Sequence, residues 1–218
     1  MERTAAHPRL VEIAIPTRAA GPAARVVALD FETATMSRAT PCAIGLAWIE
    51  DGRVARRAYR LIRPDCAARM WCFGHIHGLH PGDVADAATF PEIWEDLAPH
   101  LEGALVLAHN AAFDLGVLRG TLDHYDLPIP RLRCLCTLVA SRRVWPGLPS
   151  YTLPNVAARV GYSFSHHHAL EDAEAAARIA LGALAHTGAA DLPALAAAIG
   201  VRVGTLGPEG YVSSVRAR

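Results

Sequence analysis

Two carboxylates one residue apart, Asp30 and Glu32, close a short apolar run from Val26 to Leu29. Alternation along a strand puts both on one side. Two like charges there repel, and without partners they raise one pKa or loosen the strand. A divalent cation between them removes the repulsion, and hard oxygen ligands favour magnesium or manganese. The alternative is a solvated pair that merely caps the strand, because Asp-x-Glu alone is a weak signal. A further carboxylate appears in His109-Asn110-Ala111-Ala112-Phe113-Asp114, where an apolar stretch runs into a helix; an aspartate there can also serve only the helix dipole. In His167-His168-Ala169-Leu170-Glu171-Asp172, a histidine opens an alanine-rich segment and Asp172 follows about one and a half helical turns later. Histidine and carboxylate can then lie beside one cavity, while a polar helix start with an acidic first turn is the plainer reading.

These residues need elements to carry them. Val26–Phe31, Cys42–Ile49 and Val54–Ile62, the last two flanking the turn signal Glu50-Asp51-Gly52, predict a three-stranded antiparallel start. Pro91 at an early position and Ile93, Trp94 and Leu97 on one face predict a helix over Phe90–Leu101. Leu105–Ala108 reads as a buried strand, followed by a helix from about Ala111 to His124. Leu132–Cys136 suggests a strand, and Thr137–Val144, Leu153–Val160, His168 to about His186 and Leu192–Ile199 suggest helices. The expected class is therefore α/β, a mixed sheet with antiparallel first strands and then strand-helix alternation, flanked by helices, with its site at strand ends. The loop Arg63–Val84 is long enough to suspect a functional lip. Residues 1–24 read as an N-terminal extension whose run Leu10–Ile15 could pair at a sheet edge, 25–186 as the catalytic domain, and 187–218 as a helix and a tail without clear period.

Of the 218 residues, 52% are hydrophobic and 19% charged, which suits one globular domain and excludes a disordered chain. Basic and acidic residues balance at 21 each, so no global basic field holds a polyanion; metal ions and a local patch must do the attracting. Five cysteines are an odd number without a secretory signal, which argues against a disulfide framework and for a cytoplasmic setting. No stretch is apolar enough to span a membrane.

The order Asp-x-Glu, then Asp at a strand-to-helix junction, then His with Asp five residues later, resembles the DEDDh family of 3′-to-5′ exonucleases, in particular the bacterial proofreading type related to the epsilon subunit of DNA polymerase III. Ile76-His77-Gly78-Leu79 and Leu148-Pro149-Ser150-Tyr151-Thr152-Leu153 fall in the expected order, and the resemblance covers roughly Arg25 to Leu184. It implies a ribonuclease H-like fold in which Asp30, Glu32, Asp114 and Asp172 hold two divalent ions, magnesium or manganese. It assigns His167 as general base, because the family spacing selects it over His166 and His168. An imidazole suits that role near neutral pH, so activity should rise as pH climbs through its pKa. The resemblance also implies that Thr33, Ala34 and Thr35 line the terminal nucleotide with backbone groups, that His77 and Leu79 contact or wedge the last bases, and that Asn110 and Phe113 complete the pocket. For His77, Leu79 and Phe113 an ordinary packed role competes. The implied substrate is single-stranded or frayed DNA at its 3′ end, with RNA trimming as the runner-up and a DNA polymerase as partner in trans; a monomer and a homodimer both stay open. Two other classes compete: a zinc module built on Cys66, Cys72, His75 and His77, whose spacing lacks the short paired-Cys form, and a non-catalytic nucleic-acid- or polymerase-binding module.

Overall fold

The computed structural model describes residues 10–17 and 25–217. Strands β1 (Val26–Thr33), β2 (Pro41–Glu50) and β3 (Arg53–Leu61) form the antiparallel start. The β2–β3 turn is a two-residue one whose residues Asp51 and Gly52 both take positive φ, 50° and 72°, the twist that hairpins of this length require. Strands β4 (Leu105–Ala108) and β5 (Leu132–Cys136) then add in parallel on the other side of β1. The chain thus leaves β1 in both directions, and the carboxyl ends of β1 and β4 open side by side at this switch point, where open α/β sheets place their sites.

Alternation along β1 divides the protein into two layers. Val27, Leu29 and Phe31 point to one face, where with Ile44, Leu46 and Trp48 of β2 they pack under α2 (Phe90–Leu101) and α3 (Asp114–His124). Ala28, Asp30 and Glu32 point to the other, beside Ala47, Gly45 and Ala43. That face is covered by α6 (Ala169–Thr187), which presents Ala173, Ala176 and Ala180 among its buried residues. Small residues on both sides let this helix lie close to the sheet. Gly45 shows how close: a Cβ there would stand 2.1 Å from the Ala169 carbonyl carbon and oxygen and 2.2 Å from the Leu170 nitrogen.

Between β3 and α2 the long loop folds into the short helix α1 (Gly74–His77) flanked by two 3-10 turns. Helices α4 (Thr137–Val144) and α5 (Leu153–Arg159) lead into α6, and α7 (Leu192–Ala198) follows it. Of the extension expected over residues 1–24, all but residues 10–17 lies outside the described residues. Within 10–17, Ile13 exchanges two 2.9 Å backbone hydrogen bonds with Tyr59 on β3.

The tail expected to lack regular structure is instead two small ladders. Strands β7 (Gly204–Gly207) and β8 (Gly210–Val212) extend the main sheet beyond β5, while β6 (Val201–Arg202) pairs with β9 (Val215–Arg216). Gly204 serves close packing rather than looseness: a Cβ there would meet the Val212 carbonyl oxygen at 2.3 Å and Cys134 Sγ at 2.7 Å. Among the described residues the main sheet has seven strands in the order β3-β2-β1-β4-β5-β7-β8. No single helix among the described residues is long and apolar enough to cross a membrane.

Candidate active site

Asp30 and Glu32 stand side by side near the end of β1, and α6 brings Asp172 over them because Gly45, the β2 partner of Asp30, leaves room for its first turn. One oxygen of each of these three carboxylates lies within 4.8 Å of the others. Asp114 lies deeper, at the first residue of α3, where its Oδ1 accepts the Phe31 backbone N–H at 3.1 Å. Glu32, Asp114 and Asp172 are buried and Asp30 is half-buried. Burial first, then the charges of Asp114, Glu32 and Asp172, holds the Asp30 carboxyl well above the usual range. Burial likewise pushes Asp114 up to about 7, although the Phe31 N–H pulls it down and the Asp172 charge adds to the rise. Asp172 is raised by burial against the opposing His166 hydrogen bond. Three carboxylates whose oxygens converge on one point, two of them, Asp30 and Asp172, resisting ionisation as the neighbouring Asp114 does, fit a hard divalent cation.

The cavity above them has a volume of about 390 Å³. Its walls are apolar, from Phe73, Ile76, Phe113 and Leu153, and its polar rim is histidine: His109, His166 and His167. His166 Nδ1 donates to Asp172 at 3.1 Å, and the His167 backbone N–H donates to the same carboxylate at 3.1 Å. The two imidazoles stack with centroids 3.8 Å apart. His167 holds φ at 63°, a left-handed conformation uncommon for a residue with a Cβ. His168 turns away to pack on Tyr59, at 4.5 Å between centroids, and Glu171 accepts the Ser165 N–H. Three adjacent histidines thus reduce to two at the cavity.

Other expected residues are placed unevenly. Thr33 and Phe113 line the cavity. Ala34 and Thr35 are buried behind it: the Ala34 N–H bonds the Thr40 carbonyl, the Ala34 carbonyl accepts from Cys72, and the Thr35 hydroxyl meets that of Thr40 at 2.9 Å. The backbone groups of Ala34 are committed within the protein. His77 reaches the cavity wall, but its Nε2 lies 3.2 Å from the Thr33 carbonyl and its Nδ1 accepts the Leu79 N–H. Leu79 is packed among Ala43, Tyr59 and Val84 and does not line the cavity; Ile76, on the same loop, does. Asn110 is exposed at φ 71° and shapes the turn that presents Phe113, whose N–H it receives at 2.8 Å. Cys66, Cys72, His75 and His77 form no metal-binding group among the described residues.

Sequence reasoning missed Arg38 and the part played by His109. Arg38 donates to the Phe113 carbonyl at 2.6 Å and lies 5.1 Å from the Phe113 ring centre. Its guanidinium fills the space a Cβ on Gly116 would need, 2.5 Å from Nη1. His109 joins β4 to the loop before α5 through Nε2 and the Tyr151 carbonyl at 2.9 Å, with Nδ1 3.0 Å from the Thr137 hydroxyl. A carbonyl only accepts, so Nε2 carries the proton. Burial pushes this imidazole down to about 4.

The sequence profile of the family described as exonuclease, RNase_T, matches residues 27–180, well over half of the chain. The chain belongs to the exonuclease family. This nuclease is 29% identical over 172 residues to the epsilon subunit of DNA polymerase III of Escherichia coli K12, covering 72% of this chain and 70% of that protein. It is also 29% identical over 105 residues to the PolC-type DNA polymerase III of Streptococcus thermophilus; that match takes in 48% of this chain but only 7% of the polymerase's length. Among solved structures, Exonuclease X in complex with 5′-overhanging duplex DNA superposes with a TM-score of 0.63 at 25% identity, over 80% of this chain and 99% of that one.

The raised carboxyls of this nuclease make its stability depend on pH. Asp114 ionises near 3.8 when unfolded but near 7 when folded, so stability present at low pH is lost as pH rises through that window. His109, lowered from 6.5 to about 4, works in the opposite sense, since stability is lost as pH falls from 6.5 toward 4. The two oppose each other in the metal-free protein. A cation held by these carboxylates would have to displace the acidic protons, not that of His109. The rise in melting temperature produced by manganese is therefore expected to be larger at pH 8 than at pH 6, measured by thermal unfolding against a chelator control. An equal rise at both values would show that the carboxyls do not hold the metal.

Proposed function

We propose that this nuclease is a 3′-to-5′ exonuclease that hydrolyses single-stranded or frayed DNA to nucleoside monophosphates with two divalent ions, magnesium or manganese. The observation that carries this reading is the convergence of Asp30, Glu32 and Asp172 on one point, backed by Asp114, at the floor of a cavity with an imidazole rim. The four carboxylates would hold the ions. When bound, such ions acidify a water and offset the charge that builds on phosphate and leaving oxygen. His167 lies on the rim, tethered by its own N–H to Asp172, where it can take the proton from the attacking water. Phe113, Phe73 and Ile76 offer apolar faces that bear on bases without reading them. Epsilon is a DNA polymerase III subunit in its own organism, which supports a polymerase as partner in trans here.

A 5′-labelled single strand incubated with magnesium or manganese is expected to shorten stepwise from its 3′ end; internal cuts or no cuts under either metal would reject the reading. RNA strands run in parallel decide the sugar preference. Single alanine variants at the three histidines then assign the base. His167→Ala is expected to lower kcat by about 10²- to 10⁴-fold with strand affinity retained. His168→Ala, packed on Tyr59, should leave kcat within a few-fold. A larger loss at His166 than at His167 would move the role to His166.

A further inference from the structure

A chain with balanced charge that acts on a polyanion needs a local basic surface, and one is joined to the cavity through Tyr151 and His109. Arg142 and Arg143 are exposed in the last turn of α4, and Arg216 is exposed on β9. Together with Val139 and Val215 they line a second hollow of about 410 Å³ that contains no acidic residue. None of the three arginines has an ion-pair partner among the described residues. Their positions are built rather than incidental. Arg143 Nε donates to the Ile199 carbonyl at 2.9 Å, and β9 is held in place by its pairing with β6 and by the 2.8 Å bond from the Ala217 N–H to Gly200. The hollow is also linked to the catalytic cavity. The Arg142 guanidinium lies 5.8 Å from the centre of the Tyr151 ring, and the Tyr151 carbonyl receives His109, a wall of that cavity.

We propose that Arg142, Arg143 and Arg216 form a track for the phosphodiester backbone of the strand whose 3′ end occupies the carboxylate site. The inference rests on the exonuclease reading above and adds where the rest of the strand runs. Guanidinium groups match phosphate oxygens with paired donors. Phosphate contacts position a strand without reading its sequence, as an enzyme that removes every nucleotide needs. The C-terminal strands, which contribute nothing to the carboxylate cluster, thereby acquire a task in holding substrate.

The test measures binding without cleavage, by fluorescence anisotropy of 5′-labelled single strands with chelator present, across a sodium chloride series. Full-length protein carrying Arg143→Gln with Arg216→Gln is compared with wild type on strands of four and of a dozen nucleotides. For the longer strand, affinity is expected to fall about tenfold and the slope of log affinity against log salt to shrink by about 1.4, near 0.7 for each phosphate that is no longer neutralised. The shorter strand should lose much less. A pair of lysine substitutions at the same positions keeps the charge and should keep the slope. Unchanged affinity and slope in the glutamine pair would overturn the track, and so would an equal loss on both strand lengths. A lysine pair as impaired as the glutamine pair would also overturn it, by showing that folding and not charge was lost. Because cleavage is not the readout, failure of the wild type to shorten any strand would count against the proposed function alone.

Discussion

Asp114→Asn is expected to melt higher than wild type in the presence of chelator, yet to hydrolyse a labelled strand at least about a thousandfold more slowly with metal, a loss of about 4 kcal/mol in transition-state stabilisation. The two effects share one cause. Ionised at pH 8, the buried Asp114 carboxylate works against a pKa pushed up to about 7, roughly three units above its unfolded value and on the order of 4 kcal/mol if fully expressed. Even half of that shifts the melting temperature of a chain this size by about 4–8 °C. Asparagine keeps an oxygen to accept the Phe31 N–H, so the local hydrogen bonding survives while the charge does not. Thermal unfolding with and without manganese, alongside single-turnover cleavage, reads both arms. A variant that melts lower in chelator would mean that the Asp114 charge supports the metal-free fold, and activity within tenfold of wild type would remove this carboxylate from the metal site.

The second large effect belongs to a residue with no side chain. Gly45→Val places a branched Cβ where the Ala169 carbonyl already stands at 2.1 Å, so the first turn of α6 must retreat by roughly 1.5 Å or more, since packed carbon atoms settle at about 3.5–4.0 Å. Overpacking of this kind costs about 1–3 kcal/mol, and a displacement of that size at a catalytic group costs about a hundredfold in rate. Asp172 and His167 move with the helix, so kcat should fall at least that far and manganese affinity should fall with it. Gly82→Ala is the control, because nothing lies within 4 Å of the Cβ position there; it should be neutral in both measurements. If Gly45→Val kept wild-type metal affinity, the seat of α6 on Gly45 would not be what sets the site.

How much of this could be read from residue order follows the range of the interactions. Asp30 and Glu32 were legible because their pairing is a property of one strand, and the face they share follows from alternation alone. Asp114 and Asp172 were legible as members of an ordered set. Gly45 was not, since its neighbours at Ala169 and Leu170 come from a distant part of the chain and a glycine inside a strand shows only a weak local signal. Leu79 and Ile76 share one loop pattern, and only the turn of α1 decides that Ile76 opens on the cavity while Leu79 goes to the core. The ladder from Gly204 to Val212 was missed because its strands are four and three residues long, too short for alternation to stand out, and its glycines imitate a loose tail.

The separation of Asp172 from Asp30 along the chain has a consequence for synthesis. A ribosome delivers β1 and the start of α3 long before α6, so a nascent chain presents three of the four carboxylates with no fourth and with one face of the sheet bare. Long-range contacts of this kind form late in folding. On the mechanism proposed above, hydrolysis would therefore wait until the helix that bears Asp172 has emerged and settled onto Gly45.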